Sequence, residues 1–364
     1  MMQTEEDTQS DTSSDYGAIR QRTPVDFDAH GDLRLLVRDE RNPSNIDHFI
    51  VSSKAMSLAC DSWKNMLSPN GPFKEAQKVE GMKEMTLPDN PRALKLLLDI
   101  AHLRFSQVPR SLSFEDLAAL SIVTDKYQAT ALVKPWIHDW IRSLSSASLQ
   151  AGHENWLWIA WEFGEPGIFE QLAARLVRES EEDCKTGVLV RQGRALDPAD
   201  TSEPFPTGIL ESIGTVRQQT INQLLDAFYL YVEKYTTAYT GGEYNGICSQ
   251  SHENMECDAI ILGSLIIGLR QISLPLTRKE AVTLGWSVDE LAHKIKSVKI
   301  FPQTQSNISQ SNFIHYGGFQ KTPHQACSFQ SELNDKISQI VQSISTPVLE
   351  LHQIHMERQR DLLE

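Results

Sequence analysis

Every second position over Leu33–Val37 is apolar, with Leu33, Leu35 and Val37 alternating with Arg34 and Leu36, and this period of two predicts a β-strand. A polar turn at residues 42–44 follows, and the apolar run 49–51 then predicts a second strand. Because the two strands are close in sequence, we expect them to form a hairpin. A third short strand is predicted over Lys83–Leu87.

Helical spacing of apolar residues follows these strands, with a capping residue before each helix. Ser52 or Ser53 is placed to cap a helix pair, Asn90 to cap the helix after the third strand, and Ser113 to open a capping box. A serine beside Lys54 also raises the possibility of a hydrolytic nucleophile, but the sequence offers no histidine or carboxylate placed to complete a triad. We therefore interpret the serines as helix caps and Lys54 as a solvated charge.

Residues 150–364 are predicted to form an all-α C-terminal region. Two short helices are expected over residues 150–180, and the Pro-rich break at 197–208 precedes a long amphipathic helix at 209–235. Ser287 caps a further helix, and two more are expected near the end of the chain. Residues 1–25 are polar and acidic, and we predict that they form a disordered tail.

Charge and composition exclude several classes of function. The 364 residues include 48 acidic and 34 basic side chains, a net charge of -14, so the overall field repels phosphate backbones and anionic membranes. The longest apolar run, which starts at Ala259, is too short to cross a bilayer, and the chain opens without a secretory signal. We expect no direct nucleic-acid or membrane partner and a cytoplasmic or nuclear location.

Five cysteines, an odd number, predict reduced thiols or metal ligands rather than a disulfide framework.

Several short motifs, in order, resemble a BTB/POZ domain, particularly the kind found in filamentous fungi. The similarity covers residues 26–142 and rests on Gly31-Asp32-Leu33, His48-Phe49-Ile50-Val51-Ser52-Ser53-Lys54, Leu87-Pro88-Asp89-Asn90-Pro91, Thr124-Asp125-Lys126-Tyr127 with Leu132, and the tryptophans of Pro135-Trp136-Ile137-His138-Asp139-Trp140. The resemblance implies an α+β BTB/POZ fold, a small sheet with a helical cluster, followed here by the all-α region.

What the resemblance implies about function is protein–protein interaction: self-association, binding to cullin scaffolds of ubiquitin ligases, or recruitment of other partners. In cullin adaptors a hydrophobic residue, any residue and Glu follow the helix pair, and Phe73-Lys74-Glu75 matches that pattern. Alternatively, Phe73 covers the local core and Glu75 is an ordinary solvated charge. Long-form dimers use an amphipathic N-terminal helix, and residues 1–25 show no such face, which argues against dimerisation through that surface.

A second set of residues has the chemistry of a metal site. Cys248 and Cys257 are separated by eight residues, and much later His324 and Cys327 stand at the spacing of a zinc knuckle. Together they predict a Cys3His site for a structural zinc, with the ligand atoms about 3.3 to 4.5 Å apart. In the alternative interpretation they are ordinary buried cysteines and a surface histidine.

The residues just before Cys257 argue against a catalytic zinc site. His252-Glu253 resembles the start of a zinc-hydrolase HExxH motif, but position 256 is glutamate, so the second histidine is missing. His252 remains a reserve ligand for the structural site. The cysteine and histidine segments also resemble those of fungal BTB proteins, which extends the similarity at low resolution over residues 150–340.

The sequence as a whole favours a protein-interaction protein, in particular a substrate-recruiting adaptor for a cullin ubiquitin ligase. The alternative is a nuclear transcriptional co-regulator tethered by a DNA-binding partner, since the acidic chain has no basic motif of its own. We predict no enzymatic activity, because neither a glycine-rich phosphate loop nor a nucleophile–base pair is visible.

Overall fold

The structure of the chain is a computed structural model. It describes residues 20–21, 23–38, 45–68, 82–197, 199, 204–240, 243–250, 254–278, 285–303 and 323–364. The chain divides into two units, the first formed by residues 1–146 with 358–364 and the second by residues 147–357.

The first unit is built on a mixed sheet with a central antiparallel hairpin. Its described strands are β1 (Arg20–Gln21), β2 (Val25–Asp26), β3 (Leu33–Val37), β4 (Asn45–Val51) and β5 (Lys83–Leu87). Strands β3 and β4 pair antiparallel, which confirms the predicted hairpin, and β5 pairs parallel to β3 on its other side. Buried positions alternate with half-buried ones along β3, as the period of two predicts.

Strands β1 and β2 both pair parallel with β4. Arg20–Gln21 and Val25 belong to the segment 1–25 that was predicted to be a disordered tail, so the end of that segment is part of the sheet. Backbone pairing satisfies N–H and C=O groups whatever the side chains are. The first strand therefore begins earlier than predicted, because the prediction considered only the burial of apolar side chains.

The helices of the first unit follow the predicted order, with a pair before β5 and the others after it. They are α1 (Ser53–Ala59), α2 (Asp61–Leu67), α3 (Pro91–Ala101), α4 (Phe114–Tyr127) and α5 (Lys134–Leu144). Asn90 Oδ1 accepts hydrogen bonds from two backbone N–H groups of α3, and Ser113 Oγ accepts one from α4, which confirms both predicted caps.

The two serines between β4 and α1 have different structural roles. Ser52 Oγ accepts a hydrogen bond from the Ala55 N–H and so caps α1, while Ser53 Oγ donates to Asp32 Oδ2 over 2.5 Å. Lys54 is exposed. Ser52 is thus the predicted cap, whereas Ser53 is not, and the expectation that no carboxylate lies beside these serines is wrong because Asp32 accepts from Ser53.

The sequence motifs of the first unit contact one another. A Cβ at Gly31 would lie 2.7 Å from Ile50 Cγ2, so the chain can pass β4 at this point only with glycine. Asp89, in the turn before α3, is buried and accepts hydrogen bonds from Lys126 Nζ and Tyr127 Oη, each over 2.6 Å. The turn before α3 and the end of α4 are thus joined by a buried carboxylate.

The second unit is mainly helical. Its helices are α6 (Trp156–Glu162), α7 (Pro166–Glu179), α8 (Ile209–Thr237), α9 (Met255–Gln271), α10 (Val288–Ser297) and α11 (Gln330–Gln342), and α12 (Glu350–Leu363) begins in it. Helix α8 matches the predicted long amphipathic helix, and it packs against α7, α9, α10 and α11. The core around the second half of α8 contains Cys248, Cys257 and Cys327.

The prediction of an all-α C-terminal region was wrong in two places. Strands β6 (Glu181–Glu182), β7 (Leu189–Arg191) and β8 (Arg194–Ala195) form an antiparallel sheet, and β9 (Tyr239–Thr240) pairs with β10 (Glu243–Tyr244). Strands of two or three residues are too short to show a period of two. Local signs of the two hairpins were Gln192-Gly193 between β7 and β8, where both residues have positive φ, and the sequence Gly241-Gly242 between β9 and β10.

Within the described ranges, no helix has both the length and the apolar composition needed to cross a membrane. This includes α9, which contains the longest apolar run of the sequence.

Candidate metal centre

Four side chains from two distant parts of the chain converge in the core of the second unit. One ligand atom from each of Cys248, Cys257, His324 and Cys327 lies within 4.8 Å of all the others. Cys248 Sγ is 3.5 Å from His324 Nδ1 and 3.8 Å from Cys327 Sγ, and both distances fall in the predicted range. The four residues predicted from the sequence as a ligand set are therefore neighbours.

The two cysteines of the first pair are positioned by the start of α9. Cys248 lies in the loop after β10, and Cys257 lies in the first turn of the helix. Asn254 caps α9 by accepting a hydrogen bond from the Cys257 N–H over 3.0 Å. The cap therefore fixes the backbone that carries Cys257.

His324 and Cys327 lie on one short 3-10 turn, Pro323–Cys327. The turn is held against α8 by Phe329, whose ring stacks on that of Tyr231 with centroids 4.0 Å apart and planes 3° apart. The same ring stacks on Tyr235 at 5.8 Å. This aromatic packing brings the second pair of residues to the first.

Hydrogen bonds around the cluster fix the loop that carries Cys248. Asp258, which follows Cys257, accepts hydrogen bonds from Tyr244 Oη and the Ile247 N–H over 2.5 and 2.7 Å. Ser249 Oγ lies 3.1 Å from Cys327 Sγ, in position to donate to it. Such contacts orient sulfur ligands and stabilise negative charge on them.

The surroundings of Cys257 and Cys327 shift the pKa values of their thiols in opposite directions. Burial, together with the neighbouring Cys248 and Cys327 thiols, raises the pKa of Cys257. Burial also opposes ionisation of Cys327, but hydrogen bonds from Ser249, His324 and Cys248 outweigh it and lower the pKa of Cys327 to about 7. Cys327 is therefore the more acidic of these two thiols, and a nearby positive charge such as a metal ion would favour the thiolate form of both.

The geometry fits tetrahedral coordination. With Zn–S bonds near 2.3 Å and Zn–N bonds near 2.0 to 2.1 Å, a regular tetrahedron has edges of about 3.8 Å between two sulfurs and about 3.6 Å between sulfur and nitrogen. Two of these edges match: Cys248 Sγ to Cys327 Sγ is 3.8 Å and Cys248 Sγ to His324 Nδ1 is 3.5 Å, and all four ligand atoms lie within 4.8 Å of one another. All four residues are at most 9% exposed, so the cluster is closed to solvent. Three thiols and one imidazole are a donor set that suits Zn²⁺.

Three other predicted site residues lie outside the described residues. They are Phe73 and Glu75, the predicted cullin contacts, and His252, the reserve metal ligand. Sequence reasoning also missed Ser249 and Asp258, which support the cluster without belonging to it. Their only signal was adjacency to Cys248 and Cys257.

The chain was compared with protein-family models, with curated proteins and with solved structures, and none of the three comparisons gave a match.

Proposed function

We propose that this chain is a non-enzymatic protein-interaction protein whose second unit is stabilised by a structural Zn²⁺ held by Cys248, Cys257, His324 and Cys327. One observation carries the proposal: three thiols and an imidazole meet in the core with their ligand atoms within 4.8 Å of one another, and two of the separations, 3.5 and 3.8 Å, match the edges of a zinc tetrahedron. A zinc ion with four protein ligands has no position for a water or substrate, which is the arrangement of structural rather than catalytic sites.

The competing interpretation is a group of ordinary buried cysteines beside a histidine. Its weakness is the convergence of the four side chains: their ligand atoms lie within 4.8 Å of one another although they come from two distant parts of the chain, whereas an ordinary buried cysteine packs as a small apolar side chain and needs no such neighbours. A divalent cation would stabilise the three thiolates together and would replace the hydrogen bonds they now share. Binding would also join the start of α9 to the turn 323–327, which are far apart in sequence.

The experiment is metal analysis of the purified full-length chain and three serine variants. We expect about one zinc per chain for the unmodified protein, and loss of most of it in Cys257→Ser and in Cys327→Ser. Cys184→Ser is the matched control, because Cys184 is an exposed cysteine of the same unit, and it should keep its zinc. Zinc-free protein prepared without chelators, or equal loss in Cys184→Ser, would refute the site.

The first unit is proposed to be the interaction module, of the BTB/POZ type. Support comes from its order of elements, with the hairpin β3–β4, the helix pair, the parallel strand β5 and then helices. Further support comes from the motif residues that contact one another, Gly31 with β4 and Asp89 with Tyr127. The hydroxyl groups of Ser52 and Ser53 have structural partners, which speaks against a serine nucleophile at the one place where the sequence suggested it.

The partner proposed for this module is a cullin scaffold, with Phe73 and Glu75 as contacts, and the chain then recruits a substrate for ubiquitylation. Affinity capture should recover the cullin with the unmodified protein and much less with Phe73→Ala, while the melting temperature stays unchanged. Phe105→Ala is the matched control, since Phe105 is a phenylalanine of the first unit with an exposed side chain. Nuclear enrichment without cullin capture would instead favour the co-regulator.

A further inference from the structure

Helix α9 is apolar on two opposite sides. Its inner side is buried and includes Cys257, Ile261, Leu265 and Leu269. A helix that is apolar all round is normally covered on every side. Three apolar side chains of its outer side nevertheless stay exposed in the described structure: Met255, Ile260 and Ile267, at 51%, 41% and 58%.

The outer side forms a continuous strip. We define the outer face of α9 as Met255, Ala259, Ile260, Gly263, Ile266 and Ile267. Phe301 extends it on one flank, because its backbone N–H lies 3.4 Å from Ser264 Oγ while its side chain is 56% exposed. An exposed apolar strip of this kind on a folded unit is typical of a protein interface.

Charged residues stand only at the two ends of the outer face, and they have opposite signs. Glu256 lies in the first turn and Arg270 in the last turn, and both are exposed. Each is seven residues from Gly263, and the pair is about 21 Å apart along the helix. Two copies of α9 packed antiparallel with their glycines opposed would place each Glu256 beside the other copy's Arg270. The apolar residues repeat the same symmetry, with Ile260 opposite Ile266 and Ala259 opposite Ile267.

Helix α9 contains two glycines, Gly263 and Gly268, and the difference in their surroundings supports this arrangement. A Cβ at Gly268 would collide with the side chain of Val298, so packing within the unit explains that glycine. A Cβ at Gly263 would meet nothing within 4 Å, so nothing in the described structure requires glycine there. Glycine weakens a helix interior, and it also lets a second helix approach closely.

We propose that the outer face of α9 is the contact surface of a homodimer, in which a second copy of the chain packs antiparallel with the two helices crossing at Gly263. The contact is isologous, as in most dimers, because one face supplies both halves of each charge pair. The proposal goes beyond the interaction module of the first unit and does not depend on it. Because a single helix face is a small interface, the dimer should be weak and reversible.

The test is sedimentation of the full-length, zinc-loaded chain over a concentration series up to roughly 100 µM, where weak dimers become populated. We expect a monomer–dimer equilibrium that Ile267→Lys abolishes. Leu230→Lys, on α8, is the matched control because it changes another half-exposed apolar residue of the second unit, and it should leave the equilibrium unchanged. A monomer at every concentration, or a dimer that Ile267→Lys leaves intact, would overturn the proposal.

Charge exchange tests the antiparallel register. Arg270→Glu places two glutamates together at each end and should weaken the dimer about tenfold, which corresponds to about 1.4 kcal/mol. The double variant Glu256→Arg with Arg270→Glu restores opposite charges and should recover most of the association. Because Glu256 also accepts a hydrogen bond from Gln303 Nε2, zinc content is measured in every variant. Failure of the double variant to recover, with zinc retained, would overturn the antiparallel arrangement.

Discussion

Cys248 Sγ and Cys327 Sγ lie 3.8 Å apart although 79 positions separate the two residues in the chain. The distance is nearly twice that of a disulfide bond, and it equals the edge expected between two sulfurs of a zinc tetrahedron. The same metal ion would therefore close the loop between α9 and α11 without a covalent cross-link. The stability of the second unit should then depend on metal.

Zinc removal should loosen the second unit and spare the first. All four proposed ligands lie in residues 147–357, and a structural metal contributes directly to folding free energy. A strong chelator should increase hydrogen exchange in α9, α11 and the turn 323–327. Exchange in β3, β4 and α3 should stay constant. Uniform acceleration over both units, or none in α9, would show that the metal does not act locally.

Loss of the Tyr127 hydroxyl should destabilise the first unit. Tyr127→Phe removes one of the two hydrogen bonds to the buried Asp89 carboxylate, and leaving such a group less satisfied costs about 1 to 3 kcal/mol. Hydrogen exchange of α3 and α4 amides under denaturant measures this loss for the unit itself.

The control for Tyr127→Phe is Arg92→Ala, which removes an exposed ion pair with Asp116 in the same unit. Exposed pairs contribute about 0 to 1 kcal/mol, so this variant should stay close to the unmodified protein. Equal losses in the two variants would indicate that burial of Asp89 is not what matters.

The serine that caps α1 should matter more than the lysine beside it. Ser52→Ala removes the acceptor for the Ala55 N–H and should cost about 1 kcal/mol. Lys54→Ala changes an exposed side chain and should cost almost nothing. Thermal denaturation of the two variants checks the order. A hydrolytic activity lost in both, without destabilisation, would instead identify a nucleophile.

Acid should destabilise the second unit through His352. This residue is fully buried, Nδ1 accepts a hydrogen bond from the Leu349 N–H, and Nε2 donates to the Thr207 carbonyl. Burial lowers the pKa of His352 below its ordinary value of 6.5. The unfolded chain therefore takes up a proton below about pH 6.5 that the folded unit resists, and stability falls as the pH falls through this range.

The comparison for His352 uses His352→Gln, which cannot gain that proton. The variant is less stable at pH 7.5, but its stability should fall less between pH 7 and pH 5 than that of the unmodified protein. Zinc content is checked at each pH, because ligand protonation also releases metal. Parallel pH profiles for the two proteins would exclude His352 as the source.

Sequence alone predicted the features that depend on local chemistry. The hairpin β3–β4 followed from alternation, and the caps Asn90 and Ser113 followed from residue type. The long helix α8 followed from helical periodicity. The sequence also predicted a set of metal ligands, Cys248, Cys257, His324 and Cys327. This prediction used the ligand chemistry of cysteine and histidine and the spacing of His324 and Cys327. It did not say how the two pairs would meet in the fold.

Other features depend on contacts that the sequence does not encode locally. Strand β1 is short and polar, and it is ordered by backbone pairing with β4 rather than by apolar burial. The sheet β6–β8 has strands too short to show a period. The stacking of Phe329 on Tyr231, which places His324 and Cys327, joins residues almost a hundred positions apart.

The most direct measurement is X-ray absorption at the zinc edge of the purified protein, because it reports the atoms bound to the metal. Three cysteines and one histidine predict a four-coordinate shell with three sulfur atoms at about 2.3 Å and one nitrogen at about 2.0 to 2.1 Å. The sulfur contribution should fall to two in Cys257→Ser if metal is retained, and should stay at three in Cys184→Ser. A shell made only of oxygen and nitrogen, or fewer than three sulfurs in the unmodified protein, would contradict a metal centre built from these four residues.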